Sequence, residues 1–307
     1  MSGDCFLSEV YIMDWFFQFP EMERSGLRDF KKSIDFAFRD FSRSYGEGIE
    51  NFFEPLLMFL VWFEKLFINT PWPIIIFGIL LLAWFGSRSI PILIGTLFSF
   101  LLIGYFGMWE DTMSTVSIIG VCTIISIGLG IPIGIIMSGS DRARSAIAPI
   151  LDIMQTMPSF VYLIPVVMLL GIGKIPGLIA VIIYAIPPMI RLTDLGIREV
   201  DKEVLEAADA FGANRMQKLF RVQLPLALPT IFAGINQTIM MALAMVVIAS
   251  MIGVKGLGQP VLKAIANQYF TMGLLNGLAI VVLAIIFDRV SQSFGKRLQQ
   301  HRAGSRE

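Results

Sequence analysis

Uncharged apolar stretches long enough to cross a bilayer recur along the second part of this sequence, and no other feature restricts the fold as strongly. A helix of about 20 apolar residues crosses roughly 30 Å of hydrocarbon. Such runs fall at 72–86, 90–108, 115–137, 159–172, 175–192, 231–252 and 271–288, the fourth being short. With 55% hydrophobic and 16% charged residues and a mean hydropathy of +0.73, the chain is far more apolar than a soluble domain. The runs do not alternate polar with apolar, which argues against a β-barrel. The expected fold is all-α and polytopic, with about seven transmembrane helices. Trp72, Trp84 and Trp109 sit at span ends, where indole rings favour the interface.

Composition narrows the chemistry. A net charge of zero leaves no basic footprint for nucleic acid. Cys5 and Cys122 are far apart and imply neither a disulfide framework nor a metal site. The only histidine is His301, near the C-terminus, so histidine catalysis or metal binding within the spans is excluded. The acidic start lacks a basic n-region followed by an apolar core, so no cleavable signal peptide is expected.

Residues 1–70 carry 7 Lys and Arg against 12 Asp and Glu. Leu27, Phe30, Ile34, Ala37, Phe38, Phe41 and Tyr45 recur at three- and four-residue steps, the pattern of an amphipathic helix. Two placements fit it equally: the membrane surface, or a helix packed on its own protein. A second stretch, FFEPLLMFLVWFEKLFI (52–68), is interrupted by Glu54, Pro55 and Glu64 and reads as interfacial. The expected organisation is an extracytoplasmic or interfacial region at 1–70, a transmembrane domain at 71–290 and a cytoplasmic tail at 291–307.

Lys and Arg in the connections set orientation. Connections after odd-numbered spans hold Arg88; Arg142 and Arg144; six residues from Arg191 to Arg221; and five from Arg289 onward. The alternate connections hold only Lys174, Lys255 and Lys263. The first set should face the cytoplasm, which puts the N-terminus outside and the C-terminus inside.

The long charged segment between the fifth and sixth spans, a cytoplasmic loop at 194–230, is more than a linker needs. Glu199 to Phe211 is good helix former, with Val200, Val204, Ala208 and Phe211 on one face. Asp201 or a near neighbour is placed to cap its start, and Gly212 to end it with a positive φ. A second helix is expected from Asn214 to Val222, stopping before Leu224-Pro225. Small residues Ala207, Ala208 and Ala210 permit close approach by another protein, and Glu206 offers it a charge. A hairpin resting on the inner leaflet fits the same pattern.

Glu206-Ala207-Ala208, three residues, Gly212, nine residues, Val222, one residue, Leu224-Pro225 resembles the EAA-x3-G-x9-I-x-LP signature of membrane subunits of bacterial ABC importers. Val222 replaces isoleucine and stays apolar. Further stretches narrow the likeness: QTMPSFVYLIPVVMLLGIGKIPG (155–177), YAIPPMIRLTDLGI (184–197), LPLALPTIFAGINQTIMMALAMVVIASMIG (224–253) and GLGQ (256–259). They look like the permease of glycine betaine/L-proline ABC transporters, over about residues 90–290.

The resemblance implies a type I importer permease fold and no catalytic residue. Glu206, Ala207, Ala208, Gly212, Val222, Leu224 and Pro225 would form the coupling loop that docks on a separate ATP-hydrolysing subunit. It further implies a second copy of the chain, two ATP-binding subunits that hold ATP and Mg, and an extracytoplasmic binding protein that selects glycine betaine, proline betaine, choline or a similar solute. This chain should bind no cofactor and no metal. Its sequence agrees so far as a P-loop is concerned, because Lys174 lies in GIGKIPG, without the required Ser/Thr and spacing. Pro132 within GLGIPIG (128–134), Pro187 and Pro188 are candidate hinge or pathway positions, with ordinary kinking or close packing through small residues as the other reading. Asn236, Gln237 and Ser250 either line the path or bond between helices. The span centres look free of charge, which argues against an ion-coupled carrier.

Overall fold

The computed structural model describes residues 21–303, with side chains to residue 295. The expectations for Cys5, for the rest of the first 20 residues, for the His301 side chain and for residues 304–307 lie outside the described residues.

Among the described residues every element is helical. In order they are α1 (Arg24–Asn69), α2 (Trp72–Ser87), α3 (Ile90–Tyr105), α4 (Trp109–Gly139), α5 (Asp141–Thr156), a 3-10 turn (Ser159–Tyr162), α6 (Leu163–Leu170), α7 (Lys174–Arg198), α8 (Lys202–Ala210), α9 (Arg215–Lys218), a π turn (Leu219–Gln223), α10 (Leu224–Ala249), a 3-10 turn (Ser250–Ile252), α11 (Gly258–Asn267) and α12 (Phe270–Ala303). By contact the chain divides into residues 1–49 and residues 50–307.

In the first unit the described backbone belongs to α1. Leu27, Phe30, Ile34, Phe41 and Tyr45 of the expected stripe are exposed there. The two amphipathic stretches read from the sequence are one 46-residue helix, which runs through Pro55. A proline inside a helix removes one backbone bond, and flanking side chains can hold the helix together across the gap. The part of α1 after residue 49 packs in the second unit. Leu60 enters its main core, and Glu64 accepts a hydrogen bond from Ser114 at 2.9 Å and pairs with Lys174.

Within the second unit, four helical stretches are long and apolar enough to cross a membrane: Trp109–Gly139, Lys174–Arg198, Arg215–Ile252 and Phe270–Gly295. Two bent pairs, α1 with α2 and α5 with Ser159–Leu170, raise the number to 6 if each is one span, and α3 is a shorter apolar helix. The structure therefore supports four to six spans by length, where the sequence led us to expect about seven. The difference arises at the first, second and fourth expected spans, where short or bent helices replace single straight ones.

Helix α7 is the centre of the bundle, with α4 against one side and α10 against another. Helix α12 packs on α10 and α11. Association inside a bilayer gains little from apolar contact, since lipid is as apolar as leucine, so close backbone approach carries the packing. Glycines provide it. A Cβ at Gly134 of α4 would lie 2.5 Å from Thr193 Cβ and 2.8 Å from the Ile190 carbonyl oxygen. At Gly130, one turn earlier, it would lie 2.7 Å from Met189 Cγ. A Cβ at Gly196 of α7 would meet Thr230 at 2.9 Å, on the α10 side. The GLGIPIG segment is thus a small-xxx-small contact face. Helix α4 passes through Pro132 without ending, and α7 passes through Pro187 and Pro188, which are buried. Around this centre the outer helices leave Phe77, Leu82, Phe85, Ile94 and Phe98 exposed, an apolar surface suited to hydrocarbon.

Candidate functional site

The segment between α7 and α10 folds as a compact helical hairpin. Asp201 caps α8, its carboxylate accepting the Glu203 N–H at 3.0 Å. The helix closes in a Schellman motif: the Ala213 N–H donates to the Ala208 carbonyl at 3.0 Å and the Gly212 N–H to the Asp209 carbonyl at 2.9 Å. Gly212 adopts φ +78°, which disfavours any side chain. Asn214 and Gln217 then form a capping box that starts α9. Lys218 bridges back to Asp209 at 2.6 Å and ties the two arms together.

The strain at Gly212 gives a direct test. Gly212→Ala is expected to weaken the closing turn by about 1–2 kcal/mol. Amide exchange across Lys202–Ala210 should accelerate while exchange in α7 stays unchanged. Unchanged protection in α8 would contradict the account of this turn.

The second arm departs from the sequence expectation. The helix does not stop before Leu224-Pro225; it runs from Arg215 to Ile252 as one apolar stretch. The π turn makes this possible. The Leu224 N–H donates to the Leu219 carbonyl, five residues back. This wide turn relieves the clash a proline ring makes with the carbonyl four residues before it, here that of Arg221. It also sets the phase of the helix. Leu219 and Leu224 would lie about 140° apart in a regular helix. Here both pack against the same cluster of Met189, Ile197, Ala227 and Ile231, which seats the hairpin on the bundle.

The positions singled out in the sequence fall into distinct settings. Glu206 and Ala207 are exposed on α8, and Ala208 is half-buried. Glu206 has no polar partner among the described residues. Val222, Leu224 and Pro225 are half-buried at the root. Phe211 was expected to share one face with Val200, Val204 and Ala208. It lies instead just past the helix end and is 93% exposed, because the closing turn swings it outward. Met216 and Phe220 are exposed as well. The hairpin therefore presents an apolar, partly acidic surface on a backbone with its own internal ties.

The pathway candidates do not converge. Pro187, Pro188 and Ser250 are buried, and Pro132 and Gln237 are exposed. Asn236 donates to Asp288 at 2.9 Å, joining α10 to α12.

A charged cluster at the root of the hairpin was missed by the sequence reading, which took the spans as free of buried charge. Asp194 of α7 is only 3% exposed. It accepts from Arg198 Nε at 2.8 Å and pairs with Arg144 of α5 at 3.4 Å. Arg198 also donates to Asp141 at 2.8 Å and to the Met137 carbonyl at 3.0 Å. The four-residue spacing of Asp194 and Arg198 was the available signal.

Taken together, an apolar helical bundle with an internally tied hairpin between two of its helices defines the type I importer permease fold. The chain belongs to the family of binding-protein-dependent transport system inner membrane components, which matches residues 126–300. It is 48% identical over 234 residues to the glycine betaine/proline betaine transport system permease protein ProW of Escherichia coli K12, covering 76% of this chain and 66% of that protein. It is likewise 48% identical over 210 residues to the glycine betaine transport system permease protein OpuAB of Bacillus subtilis 168, covering 68% of this chain and 74% of that one. The match to the E. coli relative thus spans just under two thirds of its length. In structure the chain is similar to a chain of the MetNI methionine ABC transporter in inward-facing conformations, with a TM-score of 0.55 at 20% identity, covering 60% of this chain and 93% of that chain.

Proposed function

We propose that this chain is the membrane-spanning subunit of an ATP-driven importer of a quaternary ammonium osmolyte such as glycine betaine, proline betaine or choline. Two copies work with two ATP-binding subunits, which hold ATP and Mg, and with an extracytoplasmic binding protein that selects the solute. The hairpin of residues 201–225 is the coupling element, with Glu206, Ala207, Ala208, Gly212, Val222, Leu224 and Pro225 in the roles the resemblance assigns. It faces the cytoplasm of a bacterial cell, as does the C-terminus, and the region of residues 1–70 lies at the outer face. The observation that carries this reading is the exposed surface of Glu206, Phe211, Met216 and Phe220 on a hairpin seated by Leu219 and Leu224. A loop that only joined two spans would have no need of such internal ties.

On this reading the hairpin converts nucleotide-driven motion of the partner into rearrangement of the bundle. Gln237 and Pro132, exposed on α10 and α4, are the pathway candidates that can meet a solute or a second copy. Pro187, Pro188 and Ser250 act through packing. An ion-coupled carrier fits less well, because the buried carboxylate of Asp194 is already held by two arginines.

The test is uptake of labelled glycine betaine into vesicles holding this chain with its ATPase and binding protein. Choline, carnitine, proline betaine, trimethylamine N-oxide and proline serve as unlabelled competitors. Uptake should require ATP, and the betaines should compete best. An assembled complex that hydrolyses ATP but takes up none of these solutes would overturn the osmolyte assignment. It would point to another small solute, such as an amino acid.

A further inference from the structure

The charged cluster at the root of the hairpin brackets a break between two helices. Helix α4 ends at Gly139 and α5 begins at Asp141, with Ser140 extended between them at φ −150° and ψ 123°. Arg198 reaches across that break. Its Nη2 donates to the Met137 carbonyl, in the last turn of α4, and its Nη1 to Asp141, in the first turn of α5. Its Nε stays on Asp194 of its own helix. One planar guanidinium therefore holds three elements at once, a task its fixed fork of donors suits and a lysine's point charge does not.

Arg198 is also the last residue of α7, three positions before the cap of the docking hairpin. The rest of α5 is bound to the same helix. Arg191 of α7 pairs with Asp152, Arg144 pairs with Asp194, and Leu151 is buried against Ile186 and Ile190. Helix α5 then leads through a 110° bend into Ser159–Leu170. Partly exposed ion pairs add little stability. Three of them joining the same two helices, with one set across a helix break, instead fix how those helices move relative to each other.

We propose that Arg198 is a positioning residue that transmits displacement of the docking hairpin to the break at Ser140, so that α5 and the bent segment after it follow α7. The inference rests on the coupling reading of the hairpin given above. Arg198→Lys keeps the charge and loses the three-way fork. In the full complex it should leave assembly and ATP hydrolysis in place and lower glycine betaine uptake per ATP by about two- to thirtyfold, the range of substitutions along coupling networks. Asp141→Asn is the companion variant. Asp141 is 90% exposed, so its loss spares the fold and should lower the same ratio less.

A second readout does not depend on which solute is carried. Amide exchange at residues 137–144 should respond to a non-hydrolysable ATP analogue in the native complex and lose that response in Arg198→Lys. An unchanged uptake-to-hydrolysis ratio in both variants, or uptake and hydrolysis falling in proportion, would overturn the proposal. A native complex without uptake would overturn the osmolyte reading alone, and the exchange response would still decide the role of Arg198.

Discussion

Glu206→Lys is expected to strip the ATP-hydrolysing subunit from the purified complex and to reduce ATP-driven uptake about a hundredfold or more. Truncating one partner of a desolvated charge pair costs roughly 2–5 kcal/mol, and reversing the charge adds repulsion. Nothing among the described residues offsets or explains such a loss. Glu206 lies mid-helix on α8, exposed and without a polar partner among the described residues. The caps at Asp201 and Gly212, and the Asp209–Lys218 bridge, do not involve it. Thermal unfolding of the isolated subunit should therefore be unchanged. Normal co-purification with full uptake in Glu206→Lys would remove the coupling role from this residue.

The second large effect concerns glycines of one motif that differ only in what they face. Gly134→Ala would place a methyl carbon 2.5 Å from Thr193 Cβ and 2.8 Å from the Ile190 carbonyl oxygen. The second of these is backbone and cannot turn aside. Overpacking of this kind costs about 1–3 kcal/mol and occasionally more, against a gain near 1 kcal/mol from replacing glycine in a helix. The cost should prevail and separate α4 from α7, lowering the unfolding midpoint in detergent by several degrees. Gly128→Ala, six residues earlier, meets nothing within 4 Å and should be neutral or slightly stabilising. Equal behaviour of the two variants would contradict the close contact of α4 with α7.

What could be read ahead of the structure followed from how local the signal was. Apolar runs at 115–137, 175–192, 231–252 and 271–288 marked spans because each forms one long helix. The hairpin was legible because its cap and closing glycine obey short-range rules, and its fixed spacing carried the family likeness. Helix α5 was taken as part of a connection. It mixes apolar residues, Leu151 inward but Ile150 and Ile153 exposed, with Asp141, Arg142, Arg144 and Asp152, so it does not read as a span by itself. Pro225 misled the helix boundary because the π turn that accommodates it has no sequence signature of its own. Phe211 misled because helical periodicity was extended one residue past the helix end, into the closing turn. The reach of Arg198 to Asp141 joins residues 57 positions apart, which only the fold brings together.

The exposed apolar surface of the hairpin, proposed above as a docking face, also bears on the life of a copy without a partner. Phe211, at 93% exposed, stands with Met216 and Phe220 on a segment outside the apolar bundle. If the hairpin docks an ATPase as proposed, a cell that makes more of this chain than of that partner leaves those aromatic and thioether groups open to water, chaperones and proteases. On the proposed coupling role, abundance is tied to stoichiometry: the steady-state level of this chain should follow synthesis of the ATPase, with surplus copies cleared by quality control.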